Sequence, residues 1–458
     1  MAALTDLPGI LRPLDGPVTE LWRMSSNPDV MFVGGLTGFG GRLLLTENFM
    51  DGKADVVALD ARTGQEDWRV EAQPARDVAS DAAGANASGA GANCAFPGAE
   101  GAQRTSVVVC VVTDATISVT SDDDMIGETI VGTRAHLLVI DATSGAVVSQ
   151  APTDPTSSVT LVGADLIMGQ FAADGRVQVT RSGARDGTLG WTFTSPDPVS
   201  TDASGQRNVW VWASEGFIGV SSHGAMGADG KLLEGSSWLL SLDGAVVRQR
   251  VAGPGDEYAG LGVLRGGSMF VETTTTATGA RASVLTDAAT GRTITVEASP
   301  MGARPDDGSL GDAILMSSAT GGALLAYDVA TEQPRWTGAA AAEGGGYPMV
   351  LDGRVVRSGS DGSPSVDLTS VDARTGETIW STTVKSNQGG SLVTDGRVVL
   401  VSRSESTTSP GAVITAYDLT DGRRRWEVPI DDEQWLVEVD GRLFGLSGAG
   451  LVVAYGEP

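Results

Sequence analysis

The sequence predicts an all-β fold: a β-propeller of four-stranded antiparallel blades, its ring closed by pairing between the two ends of the chain. Three observations predict it. One turn motif recurs along the chain: an apolar strand, then Asp, a turn ending in Thr-Gly, and Trp four residues beyond the Gly. Asp-Gly dipeptides between short apolar runs precede the late copies of that motif. The chain finishes on three strands without a fourth and opens on a fourth strand without its first three.

The motif is fullest at Asp60 to Gly64 with Trp68, at Asp372 to Gly376 with Trp380, and at Asp418 to Gly422 with Trp426. Partial copies fill the gaps. Asp141 to Gly145 has Ser149 at the Trp position, and Asp186-Gly187 is followed by Trp191. Asp243-Gly244 is a shortened turn, and Asp287 to Gly291 has Thr295 at the Trp position. Asp328 to Glu332 loses the Gly but keeps Trp336. From Gly291 onward the copies are spaced by roughly 41 to 46 residues, a blade-sized period.

Each position has a physical reason. Asp at the turn start accepts hydrogen bonds from backbone amides within the turn. Gly supplies the left-handed conformation that closes the hairpin. The strand before the turn is apolar because neighbouring blades cover both its faces. Trp is a large flat wedge between blades, and Trp→Ala at such a place costs about 3–5 kcal/mol.

A second hairpin precedes the late copies at Asp352-Gly353, Asp395-Gly396 and Asp440-Gly441. Asp-Gly between alternating strands is a strong hairpin signal. Each unit therefore reads as strand, Asp-Gly hairpin, strand, variable loop, strand, Asp…Gly hairpin, strand. At the ends, Gln434–Val439, Arg442–Ser447 and Gly450–Tyr455 are three strands, and Glu20–Arg23 is the missing fourth. Joining them removes two exposed edges, so the strand carrying Trp22 is expected to pair with the C-terminal segment. Eight blades are expected, with the weak unit around Thr188–Arg250 not forming a full blade; nine is the alternative.

Composition agrees with many short strands and tight turns. Gly is 62 of 458 residues, close to twice the usual roughly 7%, and the apolar fraction is 41%. The formal charge of −26 speaks against a nucleic-acid partner or an anionic membrane surface, because phosphate would be repelled. Solubility accounts for such a charge, and a cationic partner is the other reading. Lysine is confined to Lys53, Lys231 and Lys385, while Arg, Ala and Gly abound, a coding bias of high-GC bacteria.

Cys94 and Cys110 are the two cysteines. They flank a short loop and read as a disulfide formed in an oxidising compartment, with two buried thiols as the alternative. A loop of about 15 residues makes such a bridge worth roughly 3 kcal/mol. No run of 18 apolar residues offers a membrane span. Met1–Gly16 lacks the basic and apolar regions of a signal peptide and carries Pro8 and Pro13, with Pro17 just beyond. Residues 1–17 read as a linker to a membrane anchor further upstream, and 18–458 as one propeller domain. The expected place is extracellular or at the cell surface, and the expected state is a monomer.

The run Ala58-Leu59-Asp60-Ala61-Arg62-Thr63-Gly64 with Trp68 resembles the repeat of the pyrroloquinoline-quinone-dependent alcohol dehydrogenases. It also resembles that of the outer-membrane assembly lipoprotein of the same propeller type. As architecture the resemblance runs from Val18 to Tyr455, and the whole looks like the extracellular propellers of actinobacteria. It implies that the Asp, Gly and Trp dock blades and perform no chemistry. Carried here, Trp22, Trp68, Trp191, Trp336, Trp380 and Trp426 are docking candidates, with Asp60, Gly64, Asp372, Gly376, Asp418 and Gly422. The enzymes of that group hold their quinone beside a ring made by adjacent cysteines, and hold Ca²⁺ next to it. This chain has no adjacent cysteines.

Motifs for chemistry are sparse, and no catalytic, cofactor-binding or metal-binding residue is assigned. His136 and His223 are the only histidines and read as strand and loop residues. The acidic runs Asp122–Asp124 and Asp431–Glu433 read as solvated loops, with Ca²⁺ the alternative for the first. Gly344-Gly345-Gly346 is a turn. Trp210 and Trp212 share one face of a strand, as core or as a stacking platform at the central channel, and Trp435 invites the same question. Long insertions at Arg76–Gln103 and Thr116–Arg134 fall within one unit. The expected function is a non-catalytic extracellular scaffold binding a protein or glycan. The alternatives are a quinone-dependent dehydrogenase and the sensor domain of a membrane-anchored protein.

Overall fold

The computed structural model describes residues 7–24, 27, 29–49, 53–73, 92–98, 105–113, 116–122, 125–131, 135–199, 207–224, 235–251, 256–276, 281–318, 323–340, 347–359, 365–385, 392–404, 411–431, 434–447 and 450–457. Among them are nine four-stranded antiparallel sheets and one two-stranded hairpin. Blade 1 shows the plan: Val30–Phe39, Arg42–Phe49, Ala54–Asp60 and Glu66–Gln73 pair in chain order. Blades 2 to 8 open on Ala92–Ala95, Ser158–Val162, Arg207–Ser214, Asp256–Leu264, Ala298–Pro300, Met349–Leu351 and Val393–Thr394. Blade 9 is composite. Trp435–Val439, Arg442–Leu446 and Val452–Gly456 are completed by Thr19–Arg23, which runs antiparallel to Val452–Gly456 with Trp22 opposite Ala454.

The ring therefore has nine blades and not the eight expected. The region 188–250 is no defective unit. Leu189–Pro198 is the outer strand of blade 3, and Arg207–Ser214, Phe217–Gly224, Ser236–Ser241 and Val246–Val251 form a complete blade 4. The motif fades there because the turn is shortened to Ser241–Ala245. It is closed by the Ser241 amide on the Ala245 carbonyl at 2.9 Å and by Gly244 at φ 86°. Ser241 Oγ takes over the Asp role by accepting the Ala245 amide at 3.1 Å. The ladder and a core of Trp238, Leu239 and Leu240, each 2% exposed or less, hold the blade without the motif.

Strand alternation sends successive residues to opposite faces, so each blade feeds two seams. Leu43 and Leu45 pack with Phe444 and Val452 of blade 9, while Leu44 packs with Val108 and Ile140 of blade 2. Nine apolar clusters result among the described residues, one at each seam of the ring. Each fully buried Val, Leu or Ile contributes roughly 1.5–3 kcal/mol, so the seams are where the fold is held.

The first strands of neighbouring blades touch one another, as Ala92–Ala95 touches Ser158–Val162 and Val393–Thr394 touches Trp435–Val439. They form the inner ring around the central channel. Two irregular segments run along its inner edges. Arg304 donates its amide to Pro348 (2.8 Å), Val350 to Pro305 (2.9 Å) and Asp307 to Val350 (3.0 Å), which lays 304–307 parallel to the inner strand of blade 7. Leu7–Val18, most of it in the segment 1–17 read as a linker, packs likewise. Ile10 bridges Thr394, and Leu11 donates to Thr394 (2.8 Å) and Arg12 to Gly441 (2.9 Å). Ile10, Leu11 and Val18 are buried in the seams of blades 7 to 9. Gly9 lies against Pro305, so the two segments meet inside the ring.

The first long insertion, 76–103, lies largely outside the described residues, apart from Ala92–Ala95 and the residues up to 98. The second forms the hairpin Thr116–Asp122 and Met125–Val131, set between the second and third strands of blade 2. Asp123, Asp124, Lys231, Gly344–Gly346, Asp432 and Glu433 lie outside the described residues.

Candidate functional site

The repeat motif builds the same local device at most seams. Asp60 Oδ1 accepts the amides of Arg62 (3.0 Å) and Thr63 (2.7 Å) and the Thr63 hydroxyl (2.9 Å), and Gly64 closes the turn onto the Asp60 carbonyl at 2.8 Å. Asp287 and Asp372 accept the corresponding amides. These bonds favour the ionised carboxylate. The Thr63 hydroxyl holds Asp60 below the usual range, and the Thr375 amide does so for Asp372. Burial alone would raise Asp418, but the Thr420 hydroxyl and the Arg425 guanidinium outweigh it and pull it to about 2.

The outer-strand Trp of one blade lies on the turn glycine of the next. A Cβ placed on Gly64 would stand 2.5 Å from the Trp22 ring, on Gly145 2.8 Å from Trp68, and on Gly244 2.7 Å from Trp191. Gly376 with Trp336 (2.6 Å) and Gly422 with Trp380 (2.5 Å) repeat the contact. At Gly376 and Gly422, φ near +70° is a second reason for glycine. Four of the five indoles also reach the carbonyl one residue past the turn's first residue. Trp22 donates to Ala61 (3.4 Å), Trp191 to Leu242 (2.9 Å), Trp336 to Ala373 (2.9 Å) and Trp380 to Leu419 (3.0 Å). Trp68 Nε1 is buried without a partner among the described residues. Trp426 packs half-buried in the seam of blades 8 and 9, where the third and fourth strands of the composite blade come from opposite ends of the chain and no turn joins them to receive it.

Three seams lack the indole. The ladder position of Trp68 opposite Ala58, and of Trp380 opposite Ser370, is held by Ser149 opposite Val139 in blade 2. Arg248 opposite Leu239 holds it in blade 4, and Ile294 opposite Leu285 in blade 5. The expected residue in blade 5, Thr295, is displaced by one. The bulge that precedes Trp68 and Trp380 is absent there, so the ladder runs on unshifted. The receiving turns answer: Gly187 and Gly291 would meet nothing within 4 Å, and in blade 6 Glu332, at φ 57°, replaces the glycine. Arg248 covers its seam by lying 5.2 Å over the Phe270 ring.

At the seam of blades 5 and 6 both halves of the device are missing, and a cavity of about 250 Å³ opens there. Met269, Leu285, Ile294 and Val329 line it, with Asp287, Thr290 and Arg292 at its edge. A smaller cavity of about 110 Å³ lies between blades 3 and 4 beside Trp238 and Pro198.

The inner strands carry exposed aromatics. Phe32, Trp210 and Trp435 lie in the first half of inner strands, and Tyr347 lies just ahead of one, each between 43% and 64% exposed. Inner strands all run the same way round such a ring, so these rings belong to one mouth of the channel. Trp212, on the same strand face as Trp210, instead covers Gly219 of the next strand. His136 lies in the third-strand position of blade 2, and His223 falls in Phe217–Gly224. Among the described residues no group of three or more His, Cys, Asp or Glu is placed to hold a metal ion.

The two cysteines form a disulfide, Cys94 to Cys110, directly across the first two strands of blade 2 with Cα atoms 4.0 Å apart. It ties the four-residue inner strand to its neighbour. It joins residues 16 apart in sequence, so it is not the adjacent-cysteine ring of the quinone enzymes.

A family model described as outer membrane protein assembly factor BamB matches residues 10–160 and 279–455. The interval it passes over holds most of blade 3, all of blade 4 and the first two strands of blade 5, and includes the shortened turn of blade 4. Among solved structures, BamB of Moraxella catarrhalis is similar at 13% identity and TM-score 0.48, covering 96% of this chain and 100% of that one. A quinohemoprotein alcohol dehydrogenase of Pseudomonas putida HK5 is similar at 15% identity and TM-score 0.47, covering 98% and 80%. A eukaryotic initiation factor shares 9% identity at TM-score 0.50, covering 93% of this chain and 91% of that one. No curated protein sequence matches the chain. At these identities the structural likenesses concern the fold alone.

Proposed function

Because the chain belongs to the family of PQQ-like β-propellers described as outer membrane protein assembly factor BamB, we propose that it is a non-catalytic binding scaffold for a protein or glycan, working outside the cytoplasm. The observation that carries this reading is the set of exposed rings, Phe32, Trp210, Tyr347 and Trp435, around one mouth of the channel. An exposed aromatic on a rigid strand supplies contact area at small entropic cost, and such rings dominate the energetics of recognition. Segments 7–12 and 304–307 pair with the inner strands of blades 7 and 8 and brace them. The disulfide supports a place in an oxidising compartment.

Purified protein is expected to sediment with isolated cell-envelope material. Prior protease treatment of that material should abolish binding if the partner is a protein, and periodate oxidation should abolish it if the partner is a glycan. Turnover of alcohols in a dye-linked assay, with quinone and Ca²⁺ added, would contradict the reading. So would an absence of envelope binding at micromolar protein.

A further inference from the structure

We propose that the seam between blades 5 and 6 is a binding socket for one flat aromatic ring, of which indole is the type. It is separate from the channel mouth, and neither site depends on the other. The argument begins with the other seams. Five of them lay an indole between the outer strand of one blade and the turn glycine of the next, at Trp22, Trp68, Trp191, Trp336 and Trp380. Between blades 5 and 6 the indole is replaced by Ile294 and the glycine by Glu332. Two substitutions in two different blades remove both parts of one lock. What stays is an unfilled space of about 250 Å³ in a seam that is otherwise close-packed.

The size and lining choose the ligand. An apolar cavity of about 150 Å³ takes up benzene, so this one has room for a bicyclic ring. Met269, Leu285 and Ile294, each no more than 7% exposed, form apolar walls, with Val329 opposite from blade 6. Val329 is also the residue one past the first residue of the blade 6 turn. In four other seams the carbonyl at that place, of Ala61, Leu242, Ala373 or Leu419, accepts the indole N–H. By that equivalence the Val329 carbonyl is the acceptor the proposal assigns to the entering N–H. The edge is polar. Arg292 of blade 5 pairs with Glu332 of blade 6 across the seam, beside Asp287 and Thr290. Breaking that solvent-exposed pair costs little, and the freed guanidinium can then lie over the entering ring. The ring comes either from a free small molecule or from a tryptophan side chain on a partner; the recognition chemistry is the same.

The test uses the whole protein with three probes: indole, N-acetyl-tryptophanamide, and a short peptide bearing one Trp. Saturable binding of indole is expected, with intermolecular NOEs to the methyl groups of Met269, Leu285, Ile294 and Val329. Tighter binding of the peptide than of indole assigns the site to a partner's side chain, and the reverse order to a free metabolite. Either order supports the socket. Restoring the lock with Ile294→Trp and Glu332→Gly together should fill the space and weaken indole binding at least tenfold. Indole that fails to saturate up to its solubility, NOEs to residues of another seam, or undiminished binding by a folded double variant would overturn the proposal. The NOE measurement needs only the wild-type chain, so misfolding of the variant leaves the socket open to refutation.

Discussion

Trp380 and Gly422 make one contact from two blades, and breaking it from both sides gives a sharp prediction. Trp380 is 7% exposed, lies on Gly422 and donates its indole N–H to Leu419 at 3.0 Å. Trp380→Ala removes the ring and should cost about 3–5 kcal/mol. Gly422→Ala has two costs. The φ of 68° is left-handed and costs a β-carbon roughly 1–2 kcal/mol. The new methyl would also stand 2.5 Å from the Trp380 ring, an overpacking worth about 1–3 kcal/mol. Gly422→Ala alone therefore costs about 2–5 kcal/mol by these two contributions. In the double variant the ring is gone and only the backbone cost of Gly422→Ala remains. The two changes should then total less than their sum, by about 1–3 kcal/mol. Equilibrium urea unfolding of the four proteins, read by far-ultraviolet circular dichroism, measures the coupling. Additive losses would refute the contact. So would a Gly422→Ala protein as stable as the wild type.

Other consequences can be checked with the same instruments. Reducing the Cys94–Cys110 bridge, or replacing both cysteines with Ser, should cost about 3 kcal/mol and free the short inner strand of blade 2, seen as faster hydrogen exchange over 92–95. The turn carboxylates of Asp60, Asp372 and Asp418 are held below their ordinary values, so they stabilise the fold above about pH 4. That contribution is lost as pH falls toward the folded value of Asp418, about 2; the melting temperature should drop over this window, and less so in Asp418→Asn. Removing residues 1–23 deletes the outer strand of blade 9 and the segment inside the ring. It should expose the edge of Val452–Gly456 and shift the protein to oligomers on gel filtration; a monomer of unchanged stability would contradict the closure.

Much of the ring was legible because its devices are local. Asp60, Gly64 and Trp68 lie within nine residues, and each performs a task that its residue type names. Closure by Thr19–Arg23 was legible too, since an unfinished blade at each end admits one economical solution. What escaped was set by register and by long-range packing. Blade 4 keeps its ladder and its Trp238 core although its turn is shortened, so a weakened turn does not mark a missing blade, and the unit discounted for it is complete. Thr295 was expected where Ile294 stands, because a one-residue bulge at Trp68 and Trp380 is invisible in the motif that contains it. Pro8 and Pro13 suggested only a linker, yet Ile10 and Leu11 between them are buried against Thr394 and its neighbours. The empty seam of blades 5 and 6 had a sequence signal, Glu332 in place of Gly, whose meaning depended on Ile294 in the preceding blade.

The claim that most needs testing is that the aromatic mouth of the channel is the binding face. The direct measurement compares envelope binding by the wild type with that of a protein carrying Phe32→Ala, Trp210→Ala, Tyr347→Ala and Trp435→Ala. All four rings are exposed, so the variant should melt within a few degrees of the wild type. Its affinity for envelope material should fall at least a hundredfold, since hot-spot aromatics each contribute about 2 kcal/mol or more. A folded variant that binds as the wild type does would contradict the account.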